Sequence, residues 1–236
     1  MNHRFYKSQL ITIIDEYDLR MRINIDLLLT FYLVHHFKSS NILEIGFYQG
    51  KTFAAFVEAT LPGSQLTAID SDLQLTVFNK YYKDSKYTQD KIINLIEIPS
   101  EDFNSAEKYD FINVDGNHNY PNAFNDIMKS ILLMNQTGIL MIDDYKCLGV
   151  DQSINKLITM NTGFVPFMIS EQTSWWHHNS HDATEFLDVI LEKTISPFCS
   201  LYNNKYKSFD VKEIKCMPAI TKHDDVFKLI CEKYKL

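Results

Sequence analysis

Glycine is scarce in this chain, with seven in 236 residues, so low-complexity glycine tracts and collagen-like repeats are excluded. Cysteine is equally thin: Cys147, Cys199, Cys216 and Cys231 form no CxxC pair. A disulfide scaffold or zinc ribbon is therefore not expected, and the thiols fit a reducing compartment. Positive charge falls short of negative, 23 Lys and Arg against 30 Asp and Glu, for a net charge of −7. Such a surface repels phosphate backbones, so a dedicated nucleic-acid binder is not expected. Long apolar runs are missing as well. The longest, Leu27 to Val34, is interrupted by Thr30 and meets His35, His36 and Lys38, too short to span a bilayer. The first residues carry Asp15 and Glu16 inside their apolar stretch and show no secretory h-region, so a soluble cytoplasmic protein without a membrane partner is expected. No Pro/Gly/Ser linker divides the chain.

What is present is ordinary globular composition: 45% hydrophobic, 13% aromatic and 22% charged. The length suits one large domain, read as residues 1–194, with 195–236 as a C-terminal appendage that is not an independent domain. Apolar residues recurring at three and four predict helices over 6–20 and 24–38. Then strands and helices alternate. Asn41–Ile45, Leu66–Ile69, Ile92–Ile98, Phe111–Val114 and Ile139–Ile142 read as strands. Lys51–Leu61, Asp72–Lys83 and Ala123–Leu133 read as helices, with Gly138 closing the turn after the last. Short apolar strands between helices predict a Rossmann-like α/β fold: a parallel sheet covered on both faces. Ile154–Met160 reads as helix. Phe164–Ser170 and Gln172–His178 read as a final antiparallel hairpin. Helices are expected again at 183–193 and 226–235, the second a docking helix.

Chemistry concentrates at the ends of the strands. In Glu44-Ile45-Gly46-Phe47-Tyr48-Gln49-Gly50 an acid closes the first strand, and two glycines precede a helix whose free N–H groups suit an anion. A tight strand–helix turn with no ligand is the plain alternative. Asp70 ends the second strand, where an acid accepts hydrogen bonds from ribose hydroxyls. The dinucleotide GxGxxG is absent, since Tyr48 stands where its middle glycine would be. A bulky residue there disfavours a pyrophosphate, so a nicotinamide cofactor fits less well than S-adenosylmethionine.

The blocks ILEIGFYQGKT, LTAIDSD, YDFINVDGNHNY and GILMIDDY, in that order, resemble the class I S-adenosylmethionine-dependent methyltransferases. More narrowly, they are similar to the metal-dependent O-methyltransferase branch acting on catechols and on sugars of natural products (methyltransferase family 24). The resemblance covers roughly residues 24–180. It implies a cofactor site made by Glu44, Gly46, Phe47, Tyr48, Gly50, Asp70 and Asp115, with Ser100 and Glu101 lining the adenine. Pro99 departs from the acid often found at its position.

Asp115, Asp143 and Asp144 follow two apolar strands, so their carboxylates should share one sheet edge. Clustered carboxylates repel unless a cation neutralises them, and hard oxygens suit Mg²⁺, Ca²⁺ or Mn²⁺. The resemblance implies the same metal ligands, with Mg²⁺ first; helix-capping aspartates are the alternative. It also implies His118 as the base for an acceptor hydroxyl, while a solvent-facing loop histidine is the bland reading. Trp175-Trp176-His177-His178, with His181 and Asp182, reads as strand packing, as the lining of an acceptor pocket, or as a zinc site. Adjacent histidines on a strand point to opposite faces, which weakens the zinc reading. The expected activity is O-methylation of a small-molecule or sugar hydroxyl, aided by a divalent cation, in a possible homodimer. A metal-independent methyltransferase and a non-catalytic cofactor-binding module are the alternatives.

Overall fold

The computed structural model describes residues 25–160, 162–169 and 172–178. The helices expected at 6–20, 183–193 and 226–235, the division at 194/195, and His181 with Asp182 lie outside the described residues. Seven strands form one sheet: β1 (Asn41–Ile45), β2 (Gln65–Asp70), β3 (Ile92–Glu97), β4 (Tyr109–Val114), β5 (Met134–Ile142), β6 (Phe164–Ile169) and β7 (Ser174–His178). Their spatial order is β3-β2-β1-β4-β5-β7-β6. The first five run parallel, and β7 joins β5 antiparallel with β6 outside it. Order therefore reverses between β1 and β4, the switch point where open α/β sheets bind ligands at the carboxyl ends of their strands.

The helices are α1 (Ile25–His36), α2 (Lys51–Ala59), α3 (Leu75–Tyr82), α4 (Asn122–Leu133) and α5 (Leu148–Thr159), and Ser100–Asp102 forms a 3-10 turn. Strand alternation sorts the core into two layers. Leu43, Ile45, Ile112, Val114, Leu140 and Ile142 pack with Ile127 of α4 and Ile154 of α5. On the other face Phe111 meets Phe56 of α2 at 5.4 Å between ring centroids. There Thr30 of α1 donates to the Met141 sulfur at 3.2 Å. α2 is buried from Phe53 to Ala59, and the extended Thr60 ends it before Pro62.

One expectation changes in detail. Gly138 lies inside β5, not in a turn ahead of it. Tyr109 pairs with Met134 and Phe111 with Ile139, so β4 advances two residues while β5 advances five. The excess loops out, and a side chain on Gly138 would strike Met134 at 2.4 Å.

Candidate active site

Every strand-end acid read from the sequence lies at the carboxyl edge of the parallel strands, around the switch point. The loop after β1 is held by its own backbone. The Gly46 N–H donates to the Ile69 carbonyl at 2.9 Å, and the Gly50 N–H to the Phe47 carbonyl at 2.7 Å. Gly46 has φ +94°, and a Cβ there would lie 2.0 Å from the Asp115 carbonyl oxygen. The bare backbone is needed because the loop after β4 crosses over it. Gly50, at φ +78°, leaves room for the Phe47 ring, which a Cβ would meet at 2.3 Å.

Phe47 points inward. It is buried among Phe53 at 5.6 Å and Phe78 at 5.5 Å, so a cofactor could meet only its backbone. Tyr48 takes the left-handed conformation, φ 46°, with its side chain 61% exposed. Its N–H donates to Asp70 Oδ2 at 2.7 Å, while Asp70 Oδ1 accepts from the Asp72 N–H at 3.0 Å. Asp70 thus staples the glycine loop, and each of its oxygens keeps a further lone pair for a ribose hydroxyl.

Glu44 is fully buried beneath this loop. Its Oε1 accepts from Asn113 Nδ2 at 2.9 Å, but Oε2 and Asn113 Oδ1 have no partner. Burial holds its carboxyl well above the usual range; the Asn113 bond opposes this, and Asp115, Asp70 and Asp143 add to it. Asp115 is likewise pushed up to about 7, by burial and by Asp143 and Asp144, with His118 opposing. Among the described residues, His118 is the cationic neighbour that acts on the acids gathered at this end of the sheet. Such a site favours a cationic ligand.

His118 lies between two of those acids. Its Nε2 is 3.3 Å from Asp115 Oδ1 and its Nδ1 3.6 Å from Asp144 Oδ2. The bond to Asp115 raises the imidazole's affinity for a proton. Asp115 and His118 therefore each favour the charged form of the other. Asp143 accepts from the Thr173 hydroxyl, which also lies 3.1 Å from Asp26 Oδ2 of α1. One hydroxyl proton cannot serve two carboxylates, and the Asp143 carboxyl is held above its ordinary range, chiefly by burial. Asp144, at φ 49°, turns the chain toward Cys147, whose N–H donates to the Asp144 carbonyl at 2.8 Å. Burial and then the three aspartates push the Cys147 thiol up.

Ser100 and Glu101 fall in the 3-10 turn after β3. Lys129 of α4 gathers that turn, donating to the carbonyls of Ser100, of Glu101 at 3.0 Å and of Phe103 at 2.9 Å. Trp175 and Trp176 are fully buried in β7, so they pack the sheet and do not line an open pocket. His177 is buried and His178 stands edge-on to Phe164 at 5.7 Å. Among the described residues, the His, Cys and carboxylate group whose ligand atoms all lie within 4.8 Å of one another is elsewhere: His118, Asp144 and Cys147. Asn113, Lys129, Thr173 and Cys147 were not singled out by sequence. Strand parity could have found Asn113, which sits beside Glu44 in parallel register. No described helix is long and apolar enough to cross a membrane.

Residues 43–145 match the family model described as a methyltransferase domain. No curated protein matches the chain by sequence. Among solved structures, a putative O-methyltransferase from Klebsiella pneumoniae aligns with a TM-score of 0.59 at 13% identity, covering 72% of this chain and 89% of that one. A Podospora anserina methyltransferase with bound S-adenosylhomocysteine aligns at 0.55 and 16% identity, covering 72% and 88%. The Streptomyces achromogenes O-methyltransferase TomG, solved with S-adenosylmethionine, aligns at 0.54 and 13% identity, covering 75% and 90%. The fold is the Rossmann-like one these proteins share.

Proposed function

We propose that this chain, whose residues 43–145 match a methyltransferase domain, is S-adenosylmethionine-dependent and transfers a methyl group to a hydroxyl oxygen of a small-molecule acceptor. One observation carries the reading: the buried Glu44 carboxyl, with its unpaired Oε2, lies under the glycine loop among Asp70, Asp115 and Asp143. A switch point lined, among the described residues, by acids fits a cofactor with a sulfonium and an ammonium group. The three solved relatives named above, two of them holding that cofactor or its product, support the assignment.

S-adenosylmethionine supplies an electrophilic methyl group, and a divalent cation would acidify the acceptor hydroxyl. The chain's residues do the rest. The backbone of Gly46 to Gly50 and the Asp70 carboxylate hold the donor, and Ser100 and Glu101 border its adenine. Asp115, Asp143 and Asp144 are the carboxylates that would hold a cation such as Mg²⁺, although their oxygens do not all lie within 4.8 Å of one another and would have to close around it. Burial first, and then their crowding, raises Asp115 and Asp143; the crowding is the part a cation would relieve. His118 takes the acceptor's proton at Nδ1, because Asp115 already engages Nε2 and steadies the imidazolium that forms. Aligning donor and acceptor supplies the larger share of the rate.

Calorimetry with S-adenosylhomocysteine and with NAD, each with and without Mg²⁺, tests the reading. Tight binding of the first and none of the second is the expected result. Binding of NAD alone overturns it. Binding of S-adenosylhomocysteine unaffected by Mg²⁺ supports the metal-independent form, and binding with no turnover of any acceptor supports the non-catalytic one.

A further inference from the structure

We infer that His118, Asp144 and Cys147 form a three-ligand site for a borderline transition-metal cation of the Zn²⁺ or Co²⁺ class, different in chemistry from an all-carboxylate Mg²⁺ site on the same rim. Their ligand atoms already lie within 4.8 Å of one another. Tetrahedral coordination with bonds of about 2.0–2.3 Å needs separations of roughly 3.3–3.7 Å, within reach of small side-chain rotations. The donors are one nitrogen, one oxygen and one sulfur. A thiolate–imidazole pair selects Zn²⁺ or Co²⁺ over Mg²⁺, which prefers oxygen.

The surroundings also suit a metal. A ligating histidine normally gives its second ring nitrogen to a carboxylate. Here Asp115 Oδ1 lies 3.3 Å from Nε2, leaving Nδ1 facing Asp144 Oδ2 at 3.6 Å. The Cys147 N–H bond to the Asp144 carbonyl, 2.8 Å, closes a turn that keeps these two ligands on one side. The loop carrying His118 is locked against the first turn of α5 at Gly149, where a Cβ would lie 2.3 Å from the His118 carbonyl oxygen. The His118 and Asp144 side chains are 38% and 32% exposed, so an ion can enter and keep a fourth position open. On coordination the thiol gives its proton to solvent and binds as thiolate. Binding stands on this geometry alone. Its consequence rests on the methyl-transfer reading: an ion on Nδ1 removes the nitrogen that would accept the acceptor's proton, so such a cation inhibits.

The test uses the full chain, stripped with chelator and titrated with Co²⁺ while its absorbance is followed. A saturable thiolate-to-cobalt charge-transfer band is expected, bleached by Zn²⁺, whereas excess Mg²⁺, which shares only Asp144 with this site, should weaken the Co²⁺ titration without abolishing the band. Cys147→Ser should abolish the band, and His118→Ala should weaken Co²⁺ binding by about tenfold or more. Cys147→Ala provides a second variant should the serine form fold poorly. No band in the wild type, or a band that survives loss of Cys147, overturns the site. Calorimetry with S-adenosylhomocysteine on the same samples keeps the two ideas separate. Cofactor binding without a band defeats the metal site alone, and a band without cofactor binding defeats the methyl-transfer reading alone.

Discussion

Gly46 and Asp115 meet through bare backbone: a methyl carbon on the first would lie 2.0 Å from the carbonyl oxygen of the second. This contact joins the loop after β1 to the loop after β4, and so joins the proposed donor site to the proposed base and metal ligands.

Gly46→Ala should therefore cost more than backbone strain. The left-handed φ alone costs of order 1–3 kcal/mol, and displacing the Asp115 loop adds to it. Gly63→Ala is the control: its φ is +83°, but a Cβ there meets nothing within 4 Å. Thermal melts should rank Gly46→Ala well below Gly63→Ala, and only the former should also lose S-adenosylhomocysteine affinity. Equal melting of the two variants would remove the contact from the argument.

Asp70→Ala should weaken S-adenosylhomocysteine binding by about 1.5–3 kcal/mol, the range for hydrogen bonds to a charged group. Asp70→Asn keeps one oxygen for the Tyr48 N–H and should retain more of the loop's stability than of the affinity. Calorimetry beside thermal melts separates the two effects. Unchanged affinity in Asp70→Ala would withdraw the ribose assignment.

Lys129→Met leaves three carbonyls of the 3-10 turn without their cation. A loss of about 1.5–3 kcal/mol is expected for hydrogen bonds of this kind. Urea denaturation measures it. A midpoint equal to that of the wild type would mean the turn holds itself.

Glu58, buried in α2, accepts a hydrogen bond from the Tyr82 hydroxyl, and burial pushes its carboxyl up from 4.5 to about 7. Between those values the unfolded chain has released the proton that the folded chain keeps. Stability should therefore fall as pH rises from about 4.5 to about 7, by roughly 3 kcal/mol from this group, and level off above. Glu58→Gln should remove this group's share of that slope and leave the share carried by Glu44, Asp115 and Asp143, whose carboxyls burial also raises. A slope equal to that of the wild type would place its origin entirely elsewhere.

The sheet was legible because each central strand is a short apolar run stopped by Asp or Gly. Asp70, Asp115 and Asp143 mark three strand ends by themselves, and one topology brings them to one edge. The site was legible only where local rules apply. The sequence shows Phe47 inside a ligand loop, yet its ring turns toward Phe53 and Phe78, a choice made by packing that no motif records. Lys129 reaches back to Ser100 across an intervening strand, and nothing near either residue announces the pairing. Cys147 has no thiol partner at CxxC spacing, so it read as idle, while the turn at Asp144 swings it toward His118. For Trp175 and Trp176 the sequence left strand packing and pocket lining side by side, because exposure is not encoded by residue type; their full burial selects packing.

The antiparallel seam between β5 and β7 also bears on how the chain is made. β5 has β4 on one side and, on the other, a strand lying more than thirty residues downstream. Until Ser174 to His178 leave the ribosome, Ile139, Leu140, Met141 and Ile142 present an open row of backbone donors and acceptors with apolar side chains above and below. Nascent chains at that stage are templates for pairing with one another. Truncations that stop before residue 174 should therefore be recovered as aggregates, however complete their cofactor loop.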